Sequence, residues 1–193
     1  MFYHTLDKYI CIKILAKLAT YLFTFHQLFV YNLTFFLLLQ SDDVSDCDLG
    51  FDTSLQLIRK TLEEQGPFDG LMGFSQGAAF AAILALMDDL KNQQSQQPPF
   101  KFCMLFAPFM SCCSKHRSYF DEKTTSKAKI PSLFVVGNGD QVVDPRRSEA
   151  LLAFFERPHL IRHDGGHYVP ATGKQKQGYL EFLQERLGEK ISS

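Results

Sequence analysis

From Phe51 to Leu187, short uninterrupted apolar runs alternate with stretches of helical spacing, and that alternation leaves few folds open. Phe51–Gln65 places Leu55, Ile58 and Leu62 at helical intervals and is closed by Gly66-Pro67. FDGLMGF (68–74), FKFCMLFA (100–107), PSLFVVG (131–137) and HLIRH (159–163) read as strands. The Ala-rich segment Gln76–Leu90, Pro145–Glu156 and the amphipathic Gly173–Leu187 read as helices. KNQQSQQPP (91–99) is a surface loop and Pro108–Lys129 is irregular and polar. Strands that are apolar on every residue have both faces covered, so the expected fold is α/β, a mainly parallel sheet with helices on both faces.

Residues 1–40 differ in kind. They hold six Phe and four Tyr, and Thr20 to Gln40 carries no Asp, Glu, Lys or Arg. Three readings fit. One is a membrane anchor, for which about 20 uncharged residues suffice; His26, Gln27 and Asn32 in its middle disfavour it, since polar groups are costly there. A second is a buried helix plus strand of the domain. The third is a segment foreign to the domain that replaces its first strands. A polar hinge, SDDVSDCDLG (41–50), separates this segment from the domain of residues 41–193.

At 193 residues, with 46% hydrophobic and 21% charged residues, the chain is one ordinary domain with enough apolar surface for a core. A net charge of -1 gives no electrostatic basis for binding nucleic acid or an anionic membrane surface. Five cysteines without a C-x-x-C pair suggest neither a disulfide framework nor a zinc site, and fit a reducing compartment. No His/Asp/Glu grouping has metal-ligand spacing, so no metal is expected.

Gly73-Phe74-Ser75-Gln76-Gly77 carries the chemistry. It matches G-x-S-x-G, in which a serine sits on a tight strand-to-helix turn with its hydroxyl lifted above the sheet. Residues without Cβ leave room on either side, and the following helix directs its N-terminal N–H groups at a developing oxyanion. The context fits, with FDGLMGF before and QGAAFAAILALMDDL after. The alternative is a serine that merely caps the helix. Ser75 as nucleophile needs a base, and the base needs an orienting acid, in the order Ser, Asp, His. Asp140 follows the strand PSLFVVG, on the side where sites of parallel sheets gather. His167 follows the strand HLIRH and two glycines that permit unusual backbone and close approach. Asp144 precedes Pro145 and reads as a helix start, Asp164 as a turn residue, and His163 as the end of a strand. The backbone N–H of Gln76, the residue after the nucleophile, is the candidate oxyanion donor.

Three separate stretches, GPFDGLMGFSQGAAFAAILA, VVGNGDQVVDPRRSEALL and RHDGGHYVP, resemble the FSH serine hydrolases over about Leu49–Leu187. The resemblance implies an α/β-hydrolase fold and cofactor-free cleavage of acyl esters through an acyl-enzyme, in the cytoplasm or nucleus. It makes Ser75 the nucleophile, Asp140 the acid and His167 the base. The pentapeptide GFSQG is also common in acyl-protein thioesterases and lysophospholipases, a neighbouring alternative. Members of the family begin with a strand running into a His-Gly loop that supplies a second oxyanion donor. Residues 1–74 contain no His-Gly. From this departure follow two expectations: N-terminal strands replaced or missing, and an alternative function as a catalytically impaired binding module. A third alternative is a hydrolase anchored to a membrane through residues 20–40.

Overall fold

The computed structural model describes residues 10–15, 26–30, 46, 50–65, 68–87, 90, 100–123, 126–171 and 173–187. They form a six-stranded sheet and four α-helices. The strands are β1 (Ile10–Leu15), β2 (His26–Val30), β3 (Gly70–Phe74), β4 (Phe102–Phe106), β5 (Ser132–Gly137) and β6 (Pro158–His163). The helices are α1 (Phe51–Gln65), α2 (Gln76–Leu86), α3 (Pro145–Ala150) and α4 (Gly173–Leu187). The sheet order is β2-β1-β3-β4-β5-β6. β3 to β6 run parallel, while β1 is antiparallel to both β2 and β3, with Ile12 opposite Gly73 and Leu15 opposite Gly70.

The pleat sends alternate residues of the parallel strands to two separate cores. On one face Leu71, Cys103, Leu105 and Phe134 pack with Ile58 of α1 and with all of α2 from Ala78 to Leu86 except Ala79. On the other, Phe102, Met104, Phe106, Leu133 and Val135 meet Phe182 and Leu183 of α4. Gly77 to Leu86 of α2 are buried without exception, which a helix apolar on every side requires. Its alanines add little bulk, so it lies close to β3 and brings its N-terminus to the end of that strand.

Several elements are shorter than the sequence pattern suggests. Phe68 and Asp69 are buried but precede β3, with the Asp69 carboxylate 2.7 Å from Lys101 Nζ. Helix α2 stops at Leu86, where Met87 turns extended. The segment after Pro145 is α-helical only to Ala150 and tightens into a 3₁₀ turn, Leu151–Phe154. Within the polar stretch 108–129 lies a further 3₁₀ helix, Ser114–Phe120.

In the N-terminal segment, Ile10–Leu15 and His26–Val30 are strands paired into the sheet. Among the described residues no helix is long and apolar enough to cross a membrane. The rest of residues 1–40, most of the hinge 41–50 and the loop 91–99 lie outside the described residues.

Candidate active site

Ser75 occupies the turn between β3 and α2 with φ 55° and ψ -119°, a left-handed conformation costly for any side chain with a Cβ. The structure around it over-determines that strain. Its N–H donates to the Phe106 carbonyl of β4 (2.8 Å), and its carbonyl accepts from the N–H groups of Ala78 (2.9 Å) and Ala79 (3.0 Å). A Cβ on Gly73 would run into the Gly77 backbone, which is why the turn can close so tightly. A capping serine would turn its hydroxyl toward the first amides of the helix. The side chain of Ser75 makes no such bond.

Its Oγ instead lies 2.9 Å from Nε2 of His167, across 92 residues of sequence. Nδ1 of the same ring is 2.8 Å from Oδ2 of Asp140. In the tautomer that serves both contacts, Nδ1–H donates to the carboxylate and Nε2 accepts the serine hydroxyl. The other carboxylate oxygen, Oδ1, accepts from the N–H groups of Val142 (2.8 Å) and Val143 (2.9 Å). The Asp140 side chain is 2% exposed and that of His167 17%. Burial works to raise the Asp140 pKa. The hydrogen bond from His167 and the amides of Val143 and Val142 outweigh it and hold the carboxyl below its ordinary value. Phe74, next to the serine, lays its ring against His167 at 4.8 Å.

The loops that carry Asp140 and His167 are tied together as a continuation of the β5–β6 seam. Asn138 N–H donates to the His163 carbonyl (2.8 Å) and Gly139 N–H to the Gly165 carbonyl (3.1 Å). A Cβ on Gly137 would stand 2.6 Å from the carbonyl oxygens of both Gly165 and Gly166. Neither Gly165 nor Gly166 has a positive φ. The expected unusual backbone is not seen there; a Cβ on Gly165 would collide with the Tyr168 side chain, whereas one on Gly166 would meet the Gly139 carbonyl oxygen at 3.4 Å, an ordinary contact. From the far side, the Tyr179 hydroxyl of α4 donates to the Pro170 carbonyl at 3.1 Å.

The rival residues sit elsewhere. Asp144 caps α3, accepting from Arg146 N–H (2.9 Å) and gripping the Arg146 guanidinium; the hydrogen bond from that side chain draws its carboxyl down to about 2. Asp164 is exposed, 3.4 Å from Asn138 Nδ2. His163 is buried against Tyr168 at 5.2 Å, its pKa lowered by burial despite the opposing charges of Asp140 and Asp164. Gln76 is the first residue of α2, where N–H groups lack partners within the helix. His116, which the sequence left without a role, is buried with its Nδ1 2.8 Å from the Ser111 hydroxyl. Sequence reading also missed the positive φ of Ala107 (46°), at the end of β4; an alanine gives no local sign of it.

A family model described as serine hydrolase (FSH1) matches residues 32–179. Esterase OVCA2 of Xenopus tropicalis is 41% identical over 138 residues, which cover 72% of this chain and 57% of that protein. Esterase CG5412 of Drosophila melanogaster is 38% identical over 140 residues, 72% of this chain and 48% of that protein. The chain thus spans about half to three-fifths of the length of these curated relatives. Among solved structures, Zea mays acyl-protein thioesterase 2 superposes with a TM-score of 0.54 at 21% identity, over 77% of this chain and 69% of that one. That likeness speaks for the fold alone, and the fold is that of the α/β-hydrolases.

Proposed function

Because the chain belongs to the serine hydrolase (FSH1) family, we propose that it cleaves carboxylic esters of acyl groups through Ser75, His167 and Asp140. One observation carries the reading: the unbroken pair of contacts from Ser75 Oγ to His167 and from His167 to Asp140. Ser75 Oγ attacks the acyl carbonyl as its proton passes to His167 Nε2, and Asp140 stabilises the imidazolium without taking the proton. The oxyanion of the tetrahedral intermediate is met by the N–H of Gln76 at the start of α2. His167 then hands its proton to the departing alcohol oxygen and the acyl group stays on Ser75. Water, deprotonated by the same imidazole, releases the acid and restores the serine.

An apolar acyl group suits the surroundings. Val142, two residues after the acid, and Tyr168 and Val169, directly after the base, are large apolar side chains left exposed. Cys103, Cys112 and Cys113 are free thiols, and the reading extends to an enzyme of the cytoplasm or nucleus. Imaging of the tagged chain checks that extension.

A second reading rests on the missing His-Gly of residues 1–74. Without a second oxyanion donor kcat would fall by about 10²–10³, leaving a chain that binds esters and turns them over slowly. Fluorophosphonate labelling, read by intact mass with Ser75→Ala alongside, separates these outcomes. Fast labelling that the substitution abolishes supports the esterase. Slow Ser75-dependent labelling supports the impaired form, and none on a folded protein overturns both.

A further inference from the structure

Beside Asp140 opens a cleft of about 1170 Å³, at the carboxyl ends of β4 and β5. One wall is Met110, Ser111 and Cys112, from the loop after β4; the other runs from Asn138 through Gln141 to the start of α3. Clefts of this size hold small-molecule ligands, and in parallel sheets they gather at this end of the strands. Asp140 also meets His167, so the cleft adjoins the Ser75–His167 pair on the side of the imidazole.

The charges of the lining cancel. Two aspartates, Asp140 and Asp144, stand against two arginines, Arg146 and Arg147. Asp140 gives one oxygen to His167 and the other to two backbone amides. Asp144 gives both oxygens to Arg146, and the charge of Arg147 also helps hold it ionised. The Arg147 guanidinium is itself engaged, over the Phe109 ring at 5.0 Å and on Cys112 Sγ at 3.1 Å. A charged ligand would give up its hydration here for groups whose charges already have partners.

What the cleft offers is neutral hydrogen bonding. Ser111 Oγ accepts from the Cys113 N–H (3.2 Å) and pairs with His116 Nδ1 (2.8 Å), which leaves one more bond for a hydroxyl able to make three. On the other wall Gln141 makes one long bond, from Nε2 to the Gly139 carbonyl at 3.5 Å, so its amide keeps an acceptor oxygen and a second N–H. An alkyl group would cover both without satisfying either. A polyol carries hydroxyls that donate and accept at once, with C–H faces for Met110 and Val142.

We propose that this cleft binds the alcohol portion of the ester substrate, and that this portion is a neutral polyol, glycerol or a sugar, recognised by Gln141 and Ser111. The inference rests on the ester-hydrolase reading above and adds the substrate class. Under that reading His167 Nε2 protonates the departing alcohol oxygen, so the alcohol leaves beside the imidazole, where the cleft opens.

The test compares 1-hexanoylglycerol and 6-O-hexanoylglucose with propyl hexanoate, which shares the acyl group and lacks the extra hydroxyls. Alkaline hydrolysis without enzyme gives the intrinsic reactivity ratio of each pair. For at least one polyol ester, kcat/KM relative to the propyl ester exceeds that ratio by about fivefold or more, the scale of one neutral hydrogen bond. Which ester shows the excess tells glycerol from sugar. Gln141→Leu with Ser111→Ala removes the excess, and Gln141→Leu alone, at an exposed position, lowers it. Thermal melts of both variants show that they are folded. A smaller excess for both esters, or one that survives the substitutions, overturns the proposal. Failure of the ester-hydrolase reading looks different: none of the three esters is cleaved and Ser75 resists fluorophosphonate. In that case saturation-transfer NMR with 1-O-hexylglycerol, an ether that cannot be cleaved, decides. Binding lost in Gln141→Leu upholds the polyol site; no binding, or binding that survives, overturns it.

Discussion

Ser75 bears a backbone conformation that glycine would adopt without cost, and it keeps a side chain there because its neighbours leave no alternative. The turn is held by bonds to Phe106, Ala78 and Ala79. Asp140 is the residue whose chemistry depends most on its surroundings. Replacing it with Asn keeps the shape but inverts the hydrogen bond to His167 Nδ1, so kcat falls by about 10⁴ while ester binding persists; stopped-flow ester hydrolysis checks this. The same carboxyl links stability to pH. Its folded pKa lies below the ordinary value, so its contribution is present above the unfolded carboxylate pKa of about 3.9 and is lost as pH falls through the lowered one. Urea unfolding from pH 7 to pH 2 is expected to show stability declining across the acid end of that range. In Asp140→Asn the decline is shallower.

Elements meet at the site through a few contacts that cross them. Tyr179 of α4 lays its ring edge-on against Phe106 at 5.5 Å and its hydroxyl on Pro170, so it buttresses both β4 and the end of the loop that carries His167. Burial pushes its pKa up to about 12, which keeps the hydroxyl a donor at every working pH. Tyr179→Phe removes one hydrogen bond, worth about 1 kcal/mol. The expected result is a small drop in Tm and a several-fold loss in kcat with KM unchanged, accompanied by broadening of the low-field proton resonance of the His167–Asp140 pair. Gly137 governs the other seam. Alanine there forces two backbone carbonyls of the base loop to move, with an expected loss of about 1–3 kcal/mol. Denaturant melts measure the stability, and fluorophosphonate labelling rates show whether His167 stays aligned.

At the scale of the whole molecule, the ends of the parallel strands β3, β5 and β6 carry the candidate residues Ser75, Asp140 and His167, and β1 and β2 complete the sheet on the β3 side. An exposed edge at β3 would offer unpaired backbone next to the nucleophile turn and invite association with other chains. A chain beginning at Asp46 therefore elutes as aggregate in size-exclusion chromatography with light scattering. A soluble monomer that still labels at Ser75 would show that the N-terminal strands are dispensable.

Much of this was legible because it is local. Apolar runs, Gly and Pro punctuation and helical spacing mark α1 and α4 to their observed ends and the four parallel strands to within two residues. The G-x-S-x-G turn carries its own steric logic within five residues. What the chain could not announce is the outcome of distant contacts. Sequence order named Ser75, Asp140 and His167 as partners, but hydrogen bonds that bridge 92 and 27 residues exist only once β3, β5 and β6 lie in register. The antiparallel entry of β1 beside β3 is of the same kind, since an apolar segment satisfies its burial equally as helix or strand. So is the placement of Arg147 over Phe109 and beside Cys112. Local sterics determine the elements and the nucleophile turn. Packing of the sheet decides which side chains share a cleft, because that depends on neighbours the sequence does not place side by side.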